Sequence, residues 1–109
     1  MVARTRVYSD RMILHVVAFT WSDNFPDGHL RTVERELNGL RAHLGDTILD
    51  YRFGPDLGLS DGTADFGIVA TFASEKEWRI YDEDDVHNRI RAEVFRPYVK
   101  QRSVFQIEK

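Results

Sequence analysis

Apolar residues alternate regularly along the segment from Met12 to Trp21. Two-residue alternation in a β-strand gives two faces, one with Ile13, His15, Val17, Phe19 and Trp21 and the other with Leu14, Val16, Ala18 and Thr20. His15 is therefore a polar residue on an otherwise apolar face. Because an unpaired imidazole is costly to bury, the pattern predicts that His15 lines a small enclosed site together with other polar groups.

A helical pattern follows the first strand. Residues 22–28 form a loop that contains Pro26, Asp27 is a candidate N-cap, and Gly45 is a candidate C-terminal stop. Between them, apolar residues recur at spacings of three and four: Leu30, Val33, Leu37, Leu40 and Leu44. These signals predict one helix that buries a single face.

The second half of the chain repeats this order. We predict a strand at residues 47–53, a turn-rich connection at residues 54–62 and a strand at residues 66–72. Ser74 and Glu77 have the spacing of a capping box, which starts a short helix carrying Trp78 and Tyr81. This helix breaks in the acidic residues 82–85, a further helix ends near Pro97, and the last strand covers residues 102–107.

The resulting order, βαββαβ, indicates the α+β ferredoxin-like fold. In this fold a four-stranded antiparallel sheet has its helices on one face. The opposite face would carry Leu14, Val16, Ala18 and Val69. These apolar residues predict a symmetric homodimer in which the sheets pack face to face.

The composition limits the function classes. The chain has 109 residues, 42% of them hydrophobic, which favours a single domain over residues 12–109. It has no cysteine, which excludes a disulfide framework and agrees with a cytoplasmic location. The net charge of −3, with both signs interspersed, gives no basic surface for nucleic acid, and no apolar run reaches membrane length.

The N-terminal residues 1–11 fall outside the regular pattern. They include three arginines but no apolar stretch of signal-peptide length. We expect a disordered or cloning-derived tail. Met12 is then a candidate for the true start of the protein.

Several motifs in order resemble the stress-responsive dimeric α/β-barrel family, known as Dabb domains. They are the opening 13–17 strand with Phe19 and Trp21, the 54–60 loop, and the Tyr81 to His87 spacing before a helix ending at Pro97. The resemblance covers residues 12–108. It implies a dimeric α/β barrel with an internal cleft between sheet and helices in each subunit.

The polar positions resemble those of plant polyketide cyclases in this family, which close an aromatic ring by intramolecular aldol condensation. The resemblance implies a cofactor-free lyase or cyclase in which His87 is the general base, Tyr81 donates a hydrogen bond and His15 orients the site. A small apolar or aromatic ligand would contact apolar residues of strands and first helix: Val17, Phe19, Val33, Leu37, Ile68 and Ala70. The cyclases have a tyrosine where Leu37 stands, and many members have His-Pro where this chain has Asp84-Asp85.

Other interpretations of the same residues remain open. His15 is also consistent with a core histidine bonded to a backbone carbonyl or to Tyr81. The protein would then be a non-catalytic ligand-binding dimer or a purely structural oligomer. The acidic residues 82–85 lie at a helix start, where carboxylates cap backbone amides, so we expect no metal site there.

Overall fold

The computed structural model describes residues 11–109, and the rest of the predicted N-terminal tail lies outside this range. The main elements, in chain order, are β1 Ile13–Trp21, α1 His29–Leu44, β2 Asp50–Pro55, β3 Phe66–Phe72, α2 Glu75–Glu83, α3 Asp85–Ile90 and β4 Val99–Glu108. The strands form one antiparallel sheet in the order β2-β3-β1-β4. This is the predicted ferredoxin-like arrangement.

The register of the sheet places a small apolar residue on one side of His15 and a polar residue on the other. His15 on β1 is paired with Ala70 on β3 and with Gln106 on β4. The face of β1 that carries His15 is buried, and its other face is half-buried. The alternation read from the sequence therefore assigns the β1 residues to the correct faces.

Helix α1 packs its leucine stripe onto the buried face of the sheet. Val33, Leu37 and Leu40 are buried there, and the helix ends at Gly45, whose φ of 51° suits a glycine. The predicted N-cap is wrong, because the cap position is Gly28 and it makes no side-chain hydrogen bond. No helix in residues 11–109 is both long enough and apolar enough to cross a membrane.

The second helical region is divided more finely than the sequence predicts. Ser74 is the N-cap of α2, but its hydroxyl bonds the Glu77 carboxylate, so the reciprocal capping box does not form. Asp84 then separates α2 from α3 and accepts a hydrogen bond from the backbone N–H of His87 at 2.9 Å. After α3, a π-helical turn at Arg91–Phe95 and a 3-10 turn at Arg96–Tyr98 lead into β4.

Two strand boundaries differ from the predicted ones. A 3-10 turn occupies Gly45–Thr47, so β2 starts at Asp50 rather than at residue 47. Strand β4 starts at Val99 rather than at residue 102, and most of it is exposed. Polar residues such as Lys100 are compatible with an exposed edge strand, which is why hydrophobic periodicity misses this part of it.

The face of the sheet without helices is apolar. We call it the helix-free face and define it by six residues: Leu14, Val16, Ala18, Val69, Phe105 and Ile107. The register joins Leu14 to Ile107, and Val16 to both Phe105 and Val69. Phe105 and Ile107 are 52% and 51% exposed, so large apolar side chains are in contact with solvent in the single chain.

Candidate acid–base site

A cavity of about 620 Å³ lies between the buried face of the sheet and the helices. It is lined by all three polar residues predicted for the site, His15, Tyr81 and His87. Four of the predicted apolar contacts also line it: Val17, Phe19, Leu37 and Ile68. The other two, Val33 and Ala70, are fully buried in the core and are not part of the cavity wall.

The hydrogen bonds of His15 define its tautomer. The indole Nε1–H of Trp78 lies 3.3 Å from Nδ1 of His15, and the side-chain nitrogen of Gln106 lies 2.8 Å from the same atom. An indole N–H can only donate, so Nδ1 of His15 accepts and its ring proton is on Nε2. His15 therefore has an N–H donor at Nε2.

The hydrogen bond of His87 selects the opposite tautomer. Nδ1 of His87 lies 2.7 Å from the backbone carbonyl oxygen of Tyr81. A carbonyl oxygen can only accept, so the ring proton is on Nδ1 and Nε2 carries a lone pair. The imidazole also stacks on the Tyr81 ring, with centroids 4.0 Å apart. His87 is thus oriented as a base by the backbone of Tyr81, six residues earlier and on the other side of the helix break at Asp84.

Burial keeps both imidazoles neutral. Removal from water lowers the pKa of His15 to about 4, with smaller contributions from His87 and Arg102. Removal from water also lowers the pKa of His87 to about 4, reinforced by Arg91 and opposed by the Tyr81 carbonyl. At neutral pH, one ring therefore presents a hydrogen-bond donor and the other an acceptor.

Both Nε2 atoms are accessible from the cavity. Neither has a hydrogen-bond partner in the described part of the chain, yet no fully buried side-chain nitrogen or oxygen there lacks one. The two atoms must therefore contact open space. Since His15 and His87 are only 5% and 7% exposed and both line the cavity, that space is the cavity.

Two tyrosines complete the polar part of the cavity. The hydroxyl groups of Tyr51 and Tyr81 lie 3.1 Å apart, and both rings line the cavity wall. Burial raises the pKa of both phenols, so they stay protonated. One of the two hydroxyl groups donates its proton to the other, so the accepting hydroxyl can donate its own proton to a ligand.

The sequence prediction missed three contributors to this site. Tyr51 lies on β2 in alternation with Phe53, so strand alternation could have placed it on the buried face. Trp78 is predicted to lie on the same short helix as Tyr81 but is given no part in the site, and it lines the cavity and bonds His15. Gln106 can be assigned to the site only when the β1–β4 register is known. That register joins residues 91 positions apart, and no local sequence pattern indicates it.

The acidic residues 82–85 are engaged in local structure. Asp84 caps α3 and also accepts from Nε2 of His43 at 2.9 Å, and Asp82 pairs with Arg91. The pKa of the Asp84 carboxyl is lowered because these hydrogen bonds outweigh its burial. Within residues 11–109 no three His, Asp or Glu side chains are grouped so as to hold a metal ion.

Comparison with known proteins gives both sequence and structural matches. The model of the stress responsive A/B barrel domain family matches residues 13–109. Among curated proteins, none is detectably similar in sequence.

Three solved structures illustrate the structural similarity. A dimeric ferredoxin-like protein of unknown function from Thermobifida fusca is 27% identical, with a TM-score of 0.83 over 99% of this chain and 100% of that one. A Dabb family protein from Mesorhizobium loti is 18% identical, with a TM-score of 0.67 over 91% and 97%. The hydroxynitrile lyase of Passiflora edulis is 13% identical, with a TM-score of 0.77 over 93% and 95%.

Proposed function

As this chain belongs to the stress responsive A/B barrel domain family, we propose that its cavity is the active site of a cofactor-free lyase or cyclase. The reaction would form or break a carbon–carbon bond beside a carbonyl group. The observation that carries this proposal is the pair of opposite tautomers at one cavity, with a lone pair on His87 and an N–H on His15.

The proposed chemistry begins with proton transfer. Nε2 of His87 takes a proton from the carbon beside the ligand carbonyl, and the electron pair moves onto the carbonyl oxygen. The enolate oxygen that forms accepts hydrogen bonds from Nε2–H of His15 and from the free tyrosine hydroxyl. In a ring closure the enolate carbon then attacks a second carbonyl, and the new alkoxide recovers the proton from His87.

The apolar wall gives this chemistry a suitable environment. Phe19, Leu37 and Ile68 line the cavity and exclude water from the carbonyl, which strengthens each hydrogen bond to the enolate oxygen. The lyase from Passiflora edulis shares the fold. At 13% identity that likeness reaches the fold alone, so the proposal depends on the cavity.

We also propose a homodimer through the helix-free face. Its half-buried residues Leu14, Val16 and Ala18 are continuous with the more exposed Val69, Phe105 and Ile107. A twofold axis would cover this apolar area with the same area of a second copy. The Thermobifida fusca protein is described as dimeric.

The acid–base proposal is tested by exchange of carbon-bound protons in D2O, followed by NMR. The substrates are 4-phenyl-2-butanone and 7-oxooctanoate. We expect the protein to accelerate deuterium uptake beside the carbonyl, and His87→Asn to lower the rate by about 100-fold or more. Asparagine retains a donor for the Tyr81 carbonyl but has no basic nitrogen, so the fold should be preserved.

A matched control is His43→Gln, which changes a half-exposed imidazole outside the cavity and keeps its hydrogen bond to Asp84. Its exchange rate should equal that of the unmodified protein. Undiminished exchange in His87→Asn would refute the assigned base. Ligand binding without exchange in the unmodified protein would instead identify a binding protein.

A further inference from the structure

The wall of the cavity contains an excess of positive charge. Four cationic side chains line it, Arg91, Arg96, Lys100 and Arg102, against one carboxylate, Asp82. The whole chain has a net charge of −3, so the positive charge of the cavity wall is local and opposite in sign to the net charge. Both cavity imidazoles are neutral and add nothing to it.

One of the four cations is already neutralised. The Arg91 guanidinium donates to the Asp82 carboxylate at 3.2 Å and to the Asn88 side-chain oxygen at 2.5 Å. The carboxylate of the cavity is therefore used by Arg91. The side chains of Arg96, Lys100 and Arg102 make no hydrogen bond or ion pair with any described residue, and we call these three the cationic rim.

The cationic rim is displaced from the two imidazoles along β4. Arg102 is paired with Phe19, whereas Gln106 is paired with His15. Four residues of strand separate the backbone positions of Arg102 and Gln106 by about 13 Å, and the Arg102 guanidinium reaches far enough along the cavity for its charge to lower the pKa of His15. Between them the wall is apolar, with Val17, Phe19 and Val104.

Charges on an edge strand also prevent unwanted strand pairing, which is the simplest structural explanation for Lys100 and Arg102. That explanation does not extend to Arg96, which lies in the turn before β4 and also lines the cavity. Protection of the strand edge also gives no reason for all three cations to line the cavity. The opposite side of the same strand carries the apolar Phe105 and Ile107.

We propose that the ligand of this cavity is an anionic carbonyl compound whose carboxylate binds the cationic rim while its apolar body extends toward the imidazoles. The part that concerns the carbonyl rests on the proposed function, and the part that concerns the carboxylate does not. Guanidinium groups bind carboxylates through paired hydrogen bonds, and no carboxylate of residues 11–109 is paired with the cationic rim. Carboxylate and carbonyl would be separated by an apolar chain or ring.

The test compares each acid with its uncharged amide. The probes are 7-oxooctanoate and 3-(4-acetylphenyl)propanoate, each titrated beside its primary amide by calorimetry in low salt. We expect each acid to bind at least 10-fold more tightly than its amide. The triple variant Arg96→Gln, Lys100→Gln, Arg102→Gln should bind acid and amide equally, with its affinity for the amide unchanged.

Arg35→Gln is the control, because Arg35 is an exposed arginine of α1 outside the cavity wall. This variant should retain the preference for the acid. Equal binding of acid and amide by the unmodified protein would overturn the proposal, as would failure to detect the acids at millimolar concentration. A preference that survives in the triple variant would overturn it as well.

The same samples separate this inference from the acid–base function. Deuterium exchange without a preference for the acid would refute the cationic rim as a carboxylate site and leave His87 as the base. A preference for the acid without exchange would establish the ligand class and refute the catalytic role.

Discussion

Each face of the sheet departs in its own way from the polarity of a simple globular protein. On the helix-covered face, His15, Tyr51, Tyr81 and His87 are buried around a cavity. On the helix-free face, Val69, Phe105 and Ile107 are exposed at 39%, 52% and 51%. A few polar groups are thus buried within the apolar core, and large apolar groups are exposed on the other face.

This difference assigns the two proposals to opposite faces of the sheet. Each buried side-chain nitrogen or oxygen in residues 11–109 has either a protein partner or contact with the cavity. The exposed apolar face has no such arrangement within one chain and matches the character of an interface between subunits. A substitution on the helix-free face should therefore leave the cavity unchanged, and a substitution in the cavity should leave dimerisation unchanged.

The largest effect is expected on the helix-free face. Phe105→Asp should dissociate the proposed homodimer, weakening association at least 100-fold, because a charge replaces a buried phenyl ring in each subunit. Sedimentation at micromolar concentration measures the change in mass. The control is Val104→Asp, because Val104 is the adjacent residue on the cavity side, and this variant should stay dimeric. A monomeric unmodified protein would refute the dimer.

The next effect is expected in the pH dependence of the free energy of unfolding, to which the two cavity imidazoles contribute. The pKa of His15 and of His87 is about 4 in the folded chain, against 6.5 for a free imidazole. Between these values the unfolded chain binds more protons, so stability is complete above pH 6.5 and decreases as the pH falls toward 4. The expected loss is up to about 3 kcal/mol for each imidazole, measured by urea unfolding between pH 7 and 4.

The variant pair His15→Asn and His87→Asn should flatten this profile above pH 4.5. His43→Gln should not flatten it, since the half-exposed His43 lies outside the cavity. The pKa of Glu77, lowered by its hydrogen bond from Ser74, and that of Asp84 add a further loss only at lower pH. A slope that is unchanged in the double variant would contradict neutral buried imidazoles.

The smallest effect is expected from Trp78→Phe. This change removes the indole N–H that donates to Nδ1 of His15, at a cost of about 1 kcal/mol in stability. Gln106 still contacts Nδ1 at 2.8 Å, but its amide can also present its oxygen, so the Nε2–H tautomer should lose part of its population. Nitrogen-15 NMR of the imidazole measures this population. An unchanged tautomer would show that Gln106 alone determines it.

Much of the fold was predictable because its signals are local. The alternation in β1 and β3, the leucine stripe of α1 and the break in the acidic residues before α3 each require only neighbouring residues. The errors occur where tertiary context decides. Gly28 replaces Asp27 as the cap of α1, and β4 extends to Val99 because pairing with Trp21 continues beyond a register shift.

The candidate site was predictable in its residue types but not in its chemistry. Sequence pattern and family resemblance named His15, Tyr81 and His87, and all three line one cavity. Their hydrogen-bond partners come from elements distant in sequence, as with Gln106 and Tyr51. The division of the predicted apolar contacts into cavity wall and closed core also depends on tertiary packing, which places Leu37 in the wall and Val33 in the core.

The sequence by itself determined the order of elements, the two faces of the first strand and the burial of His15, because periodicity and side-chain type are properties of the chain. The tertiary structure alone decided the protonation pattern. A histidine tautomer depends on which donor or acceptor lies within about 3 Å of each ring nitrogen. For His15 those neighbours are Trp78 and Gln106, brought to the ring only by helix packing and strand register.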